Sequence, residues 1–214
     1  MTHKNLQNAA ARRQMNHWKP SLHFNSFIQE ITMSRISIPS VDQSPAASKP
    51  LLAAVQQQLG VVPNLMKLVG HSPAALEGYL ALNGALSKGK LSVQLRERIA
   101  LTVAEFNGCD YCLSAHTYLA TNVAKISAAE VAAARDGKSD DARTAAALAF
   151  ARRVSESRGQ VADADLAALR AADFDEASVV EIVLNVALNV LTNYVNNVAR
   201  TDIDFPVVTA KAAA

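Results

Sequence analysis

Helix breakers, aromatic rings and cysteines are all scarce in this sequence. Its 214 residues include 8 glycines, 7 prolines and 2 cysteines, and aromatic residues make up 5%. Few breakers and abundant alanine, the residue that costs least in a helix, favour an all-helical protein. A charge excess of one sign is also missing. The net charge is +2, which leaves no nucleic-acid footprint. No apolar run approaches the roughly 18 residues needed to span a membrane, so no membrane partner is expected. Two cysteines in a chain of this length do not make a disulfide framework. Their close spacing in a non-secreted protein reads as redox or metal chemistry instead.

The remaining length is enough for one domain with a real core. Residues 1–48 form a poorly ordered N-terminal extension by this reading. They are rich in Asn, Gln, Ser, His and Pro and show no sustained period. Lys4, Arg12, Arg13 and Lys19 against the single acid Glu30 make the first 32 residues basic. That stretch fits an extension ahead of an internal start at Met33, a transit peptide or a partner-binding arm. Organised structure is expected from Lys49-Pro50, with a helix ended by Gly60 and a second between Pro63-Asn64 and Gly70. A third follows Ser72-Pro73 to Leu86, and a fourth, capped by Ser92, runs to Phe106. Asn107-Gly108 is a turn. The helix carrying the cysteines spans about 109–123. Ser127 and Glu130 form a capping-box pattern ahead of Gly137, and Ser139 opens a helix to Ser157. Residues 163–172 form a short helix, and Asp175 to Arg200 forms the last. No strand alternation is present. The expected fold is an all-α single-domain bundle of about eight helices over 49–206, with 207–214 a flexible tail.

Chemistry gathers between Glu97 and His116. Both cysteines lie there as Cys109-x-x-Cys112, with His116 four residues on. At 100° per residue, Cys109, Cys112 and His116 fall within about 60° of one another, beside Leu119, Ala120 and Val123. Asp110, Ser114, Thr117 and Thr121 form the opposite, polar side. On the preceding helix, Gln94, Arg98, Thr102 and Glu105 form the solvated side. Glu97 instead sits among Val93, Ala100, Leu101 and Ala104, so it should be partly buried and in need of a partner. Helix-terminal cysteines feel the positive end of the dipole, which favours thiolate. His116 can take a thiol proton, and Glu97 can orient the imidazole or relay the proton onward. Paired thiols permit a cycle in which one sulfur is oxidised to sulfenic acid and the other closes a disulfide. Zinc binding by Cys109, Cys112, His116 and Glu97 is a second reading, although structural zinc sites usually join separated ligand pairs. A non-enzymatic interaction protein is a third.

The pattern Glu97-x11-Cys109-x2-Cys112-x3-His116 resembles the active-site signature of the alkylhydroperoxidase D-like branch of the carboxymuconolactone decarboxylase superfamily. Asn107-Gly108-Cys109-Asp110-Tyr111-Cys112, Ala115-His116-Thr117, Pro63-Asn64, His71-Ser72-Pro73 and the terminal Asn193-Tyr194-x-Asn196-Asn197 are similar to its peroxidase-related members. The resemblance covers about residues 50–206. It implies an all-α fold, a homo-oligomer (trimer or hexamer), and a cofactor-free thiol peroxidase acting on alkyl hydroperoxides, recycled by an external dithiol. It also implies that Cys112 is the peroxide-reactive thiol, Cys109 the resolving one, and His116 with Glu97 the proton relay; a general thiol–disulfide oxidoreductase is the nearest alternative. A cytoplasmic location and no metal are expected. Tyr111 departs from the pattern, because well-studied members carry a second histidine between the cysteines.

The last helix carries a stripe of Ser178, Glu181, Asn185, Asn189, Thr192, Asn193 and Asn196 among otherwise apolar residues. Solvated faces usually prefer Lys, Glu or Arg to neutral amides. The amides suggest hydrogen bonding inside the fold or between subunits.

Overall fold

A computed structural model of the protein describes residues 34–211. The expectations for residues 1–33 and 212–214 lie outside the described residues. Among those described there are nine α-helices and no strand: α1 (Lys49–Leu59), α2 (Asn64–Val69), α3 (Pro73–Leu86), α4 (Val93–Phe106), α5 (Asp110–Asn122), α6 (Ala128–Arg135), α7 (Ala142–Ser157), α8 (Asp163–Ala171) and α9 (Glu176–Ala199). The caps explain most boundaries. Ser72 accepts from Ala75 N at 3.3 Å, and Ser92 from Leu95 N at 3.2 Å. Ser127 accepts from Glu130 N, but Glu130 does not return the bond. Its carboxylate takes Ser139 Oγ at 2.7 Å and Asp140 N at 3.0 Å. Ser139 is thereby removed as the cap of α7, and Asp141 replaces it, accepting from Thr144 N at 2.7 Å.

Helix α4 is the hub. It packs against α5, α6, α7 and α9. Ile99, Ala100, Leu101, Val103 and Ala104 are all buried, which closes α4 on nearly every side. Most of the side expected to be solvated is covered by α6, while Gln94 is exposed. Thr102 is buried and donates to Ala134 O at 2.6 Å. Arg98 pairs with Glu130 at 3.2 Å, and Glu105 pairs with Arg135. Charges in mixed sign on one helix face read as a wet surface, but they serve equally well as the polar half of a helix–helix seam once a facing helix supplies their partners.

The chain ends are also held more firmly than composition suggests. Residues 34–48 are part of the fold, which corrects the expectation of disorder up to 48. Arg35 N donates to Ala199 O, Asp202 N donates to Ser34 Oγ, and Ser48 Oγ donates to Gly70 O at 2.7 Å. A short 3-10 turn, Val41–Gln43, lies between them. The expected flexible tail is docked through residue 211 on the polar side of α5. Val208 N donates to Ser114 Oγ at 2.9 Å, Ala210 N donates to Asp110 Oδ1 at 2.7 Å, and Lys211 N donates to Glu105 Oε1.

Helix α9 has 24 residues and is long and apolar enough, by length and composition alone, to cross a membrane, contrary to the estimate from apolar runs. Its amides argue for a core position. Asn185, Asn189, Thr192, Asn193 and Asn196 face inward and are buried. The outward face is apolar and exposed: Val180, Val183, Leu184, Leu191, Tyr194 and Val198.

Candidate active site

The site is built at the junction of α4 and α5. Gly108, at φ +59°, takes the left-handed conformation that ends α4, and Cys109 N returns to Ala104 O at 3.0 Å. This tight reversal makes Cys109 the N-cap of α5. Its sulfur accepts from Cys112 N at 3.4 Å. Both cysteines are free thiols, with Cys109 0% and Cys112 2% exposed. One turn on, His116 Nδ1 donates to Glu97 Oε2 at 2.8 Å, bridging α5 and α4. Because the carboxylate takes the Nδ1 proton, Nε2 is the basic nitrogen. The helical projection that selects Glu97 over Glu105 is thus matched by the contact.

Cys112, His116 and Glu97 line one cavity of about 260 Å³. Cys109 does not line it and lies behind Cys112. Leu65, Ala100, Ala115, Leu119 and Leu188 give the cavity an apolar wall, and Tyr79 and Arg96 add polar groups. A larger open cleft of about 690 Å³ reaches Tyr111, Asn196 and Arg200 but neither thiol. Among the described residues, no three His, Cys, Asp or Glu side chains converge as a metal-binding group.

Electrostatics separates the two sulfurs. The Cys109 S–H donates to Cys112 and lowers its pKa. Burial opposes this, and the His116 charge with the Asn196 and Asn193 amides reinforces it. Cys109 is pushed up by that same hydrogen bond, by burial and by the charge on Cys112. The proton therefore stays on Cys109 and the negative charge on Cys112. For His116, burial disfavours the charged form, but Glu97, by charge and hydrogen bond, and the Cys112 charge raise its pKa above the ordinary value. Burial pushes the Tyr79 hydroxyl up to about 12, with Cys112 and Glu97 adding to the effect. It remains a neutral donor at the cavity wall.

Tyr111 points its chemistry elsewhere. Its hydroxyl accepts from Leu65 N at 3.0 Å and donates to Asp204 Oδ1 at 2.8 Å. Asp204 Oδ2 also accepts from Asn64 N at 2.8 Å, which supplies the start of α2 with the acceptor that Pro63 lacks. At the position where the resemblance led to the expectation of a histidine, this chain has a structural tie.

Two polar residues at the thiol escape the pattern read from the sequence. Asn196 Nδ2 donates to Cys112 Sγ at 3.3 Å, and Asn193 is held by Asn107. Their signals were the neutral amide content of the stripe and the family-like Asn193-Tyr194-x-Asn196-Asn197 string, neither of which revealed which amides face the sulfur.

Residues 73–157, which span α3 to α7 and contain Glu97, Cys109, Cys112 and His116, match the carboxymuconolactone decarboxylase family. That match supports the alkylhydroperoxidase D-like/carboxymuconolactone decarboxylase superfamily. No curated protein matches it. Among solved structures, the chain is similar to the alkylhydroperoxidase AhpD core of an uncharacterized peroxidase-related protein from Ralstonia eutropha JMP134. The identity is 26% and the TM-score 0.73, covering 80% of this chain and 93% of that one. A peroxidase-related protein from Silicibacter sp. TM1040 shares its fold at 23% identity and TM-score 0.71, covering 82% and 94%. So does a cysteine-to-alanine variant of the debrominase Bmp8 in complex with 2,3,4-tribromopyrrole, at 24% identity and TM-score 0.68, covering 79% and 91%.

Proposed function

We propose that this protein is a thiol peroxidase that reduces organic hydroperoxides through a Cys109–Cys112 dithiol/disulfide cycle. The observation that carries this reading is the asymmetry of the sulfurs: Cys112, with its pKa lowered, opens on a cavity shared with His116 and Glu97, while Cys109 stays protonated behind it. The likeness to the peroxidase-related protein of Ralstonia eutropha supports it. In the cycle, His116 takes the Cys112 proton and is held as imidazolium by Glu97. The thiolate attacks the terminal oxygen of ROOH. The S–O bond forms as the O–O bond breaks, and the departing alkoxide takes the proton from His116 to leave as ROH. Cys109 then displaces the sulfenic hydroxyl as water and closes the disulfide. An external dithiol restores both thiols and is itself oxidised. A cavity of about 260 Å³ holds more than a bare peroxide group, which favours an organic R group. No resident cofactor is needed for this balance.

The test is peroxide titration of the reduced protein with a free-thiol count. The wild type is expected to lose two thiols per chain. Cys109→Ser should accumulate sulfenic acid at Cys112, and Cys112→Ser should react slowly. If only Cys109→Ser abolishes the reaction, the two roles are reversed. Because the same fold holds a debrominase, 2,3,4-tribromopyrrole serves as a control; bromide release with no peroxide consumption would replace the peroxidase reading.

We also propose that the protein is a homo-oligomer assembled through the outward face of α9. Val180, Leu184, Leu191, Tyr194 and Val198 form an exposed stripe that carries no charge. A second copy can lie against it without like-charge repulsion, and burying the same apolar stripe on both sides favours association.

A further inference from the structure

The buried polar residues of α9 divide into two kinds. Asn185 Nδ2 donates to Glu181 O and Asn189 Nδ2 to Asn185 O, each at 2.8 Å, and Thr192 Oγ1 donates to Asn189 O at 3.0 Å. These three are satisfied by their own helix. Asn193 and Asn196 reach across instead. Asn196 Nδ2 donates to Cys112 Sγ. Asn193 Oδ1 accepts from Asn107 Nδ2 at 2.9 Å, which fixes which end of the amide faces the α4–α5 turn. Its Nδ2 is left without a hydrogen-bond partner among the described residues, although Asn193 is 0% exposed. Leaving such a donor unsatisfied costs stability. A fully buried donor without an acceptor calls for an explanation, and a catalytic role is one. The nearby reacting group is Cys112: the Asn193 amide biases it toward thiolate, yet Nδ2 makes no hydrogen bond of ordinary geometry to the sulfur.

We propose that Asn193 and Asn196 form an amide cradle for the reacting centre: Asn196 holds the Cys112 thiolate, and Asn193 Nδ2 receives the oxygen that the sulfur takes from the peroxide. This rests on the peroxidase reading. As the S–O bond forms and the O–O bond breaks, negative charge spreads from sulfur over both oxygens. A fixed neutral donor stabilises that charge without adding a net charge to the cavity. The oxygen stays within its reach as Cys112 S–OH until Cys109 displaces it as water. Asn107 is the positioning residue, because its bond to Oδ1 turns the Asn193 donor inward.

The test uses the full chain carrying Cys109→Ser, so that one sulfur reacts and the sulfenic acid persists. Two rates are measured at one pH: alkylation by iodoacetamide, which reports the thiolate alone, and oxidation by cumene hydroperoxide, which also transfers oxygen. Asn193→Leu is expected to lower the ratio of oxidation to alkylation about tenfold. Asn196→Leu is expected to lower both rates together and to move the alkylation midpoint to higher pH. A ratio for Asn193→Leu within about twofold of the parent would overturn the assignment. If Asn193→Leu does not fold, Asn107→Ala, at the partly exposed turn, tests the same point, and an unchanged ratio there overturns it equally. A parent that alkylates normally but takes no oxygen from the peroxide removes Cys112 as the oxygen acceptor, and the oxygen role of Asn193 with it; thiol loss in the wild type then separates reversed cysteine roles from failure of the peroxidase reading.

Discussion

His116 Nδ1 donates to Glu97 Oε2 across 2.8 Å, joining the hub helix to the helix that carries the thiols. The carboxylate holds the imidazole pKa up against burial. In Glu97→Gln burial prevails, so an NMR titration of His116 should show a midpoint below that of the wild type. The folded-state pKa lies above the unfolded value of about 6.5, so the pair contributes stability that is fully present below that value and lost as pH rises through the folded pKa. The urea midpoint difference between wild type and Glu97→Gln should accordingly be larger at pH 6 than at pH 9. Peroxide oxidation should slow by about 10². An imidazole midpoint that rises in the variant would refute the pairing.

The two sulfurs should titrate far apart. Iodoacetamide reactivity of the reduced protein should appear as pH rises through a midpoint below the ordinary thiol value of about 8.5. Fragment mapping by mass spectrometry should place the first label on Cys112, with Cys109 still unmodified at pH 9. His116→Gln removes a nearby positive charge and should move the Cys112 midpoint upward. Labelling that begins at Cys109 would contradict the asymmetry.

Tyr111 is expected to matter for stability and not for chemistry. Tyr111→Phe leaves Leu65 N and the Asp204 carboxylate each short of a partner. That should cost about 1–3 kcal/mol in denaturant unfolding. The peroxide oxidation rate at saturating folded protein should change less than about threefold, because the hydroxyl is committed away from the proton-transfer pair. A large rate loss with unchanged stability would instead place Tyr111 in the relay.

Assembly should depend on the uncharged face of α9. Leu191→Glu places a carboxylate in the middle of the stripe, and sedimentation should then show a monomer where the wild type shows an oligomer. A chain starting at residue 34 should keep the wild-type size. If it alone loses the oligomer, residues 1–33 supply the contact; if the wild type is already monomeric, a second copy is not what covers this face.

Local signals carried the helices well. Ser72-Pro73, Ser92 and Gly108 act within four residues of themselves, and the structure places the α3, α4 and α5 boundaries where they point. Periodicity also separated Glu97 from Glu105. What it could not show is which polar faces meet another element. Thr102 reads as wet but is closed off by Ala134, 32 residues on, and Ser114 by Val208, 94 residues on. The same limit hid Asn196, whose partner Cys112 lies 84 residues back. Such pairs are fixed by tertiary packing, and a helical wheel has no knowledge of the facing helix.

The docked C-terminal segment lies against the helix that would change shape during turnover. Asp204 grips the Tyr111 hydroxyl between the two cysteines, Ser114 exchanges bonds with Val208, and Asp110 holds Ala210 N. All three anchors sit within the first turns of α5, where closing a Cys109–Cys112 bond must alter the N-cap now made by Cys109. On the proposed cycle the strap should report oxidation state: protease cleavage beyond Thr201 should differ between reduced and peroxide-treated protein, and Tyr111→Phe should erase much of that difference.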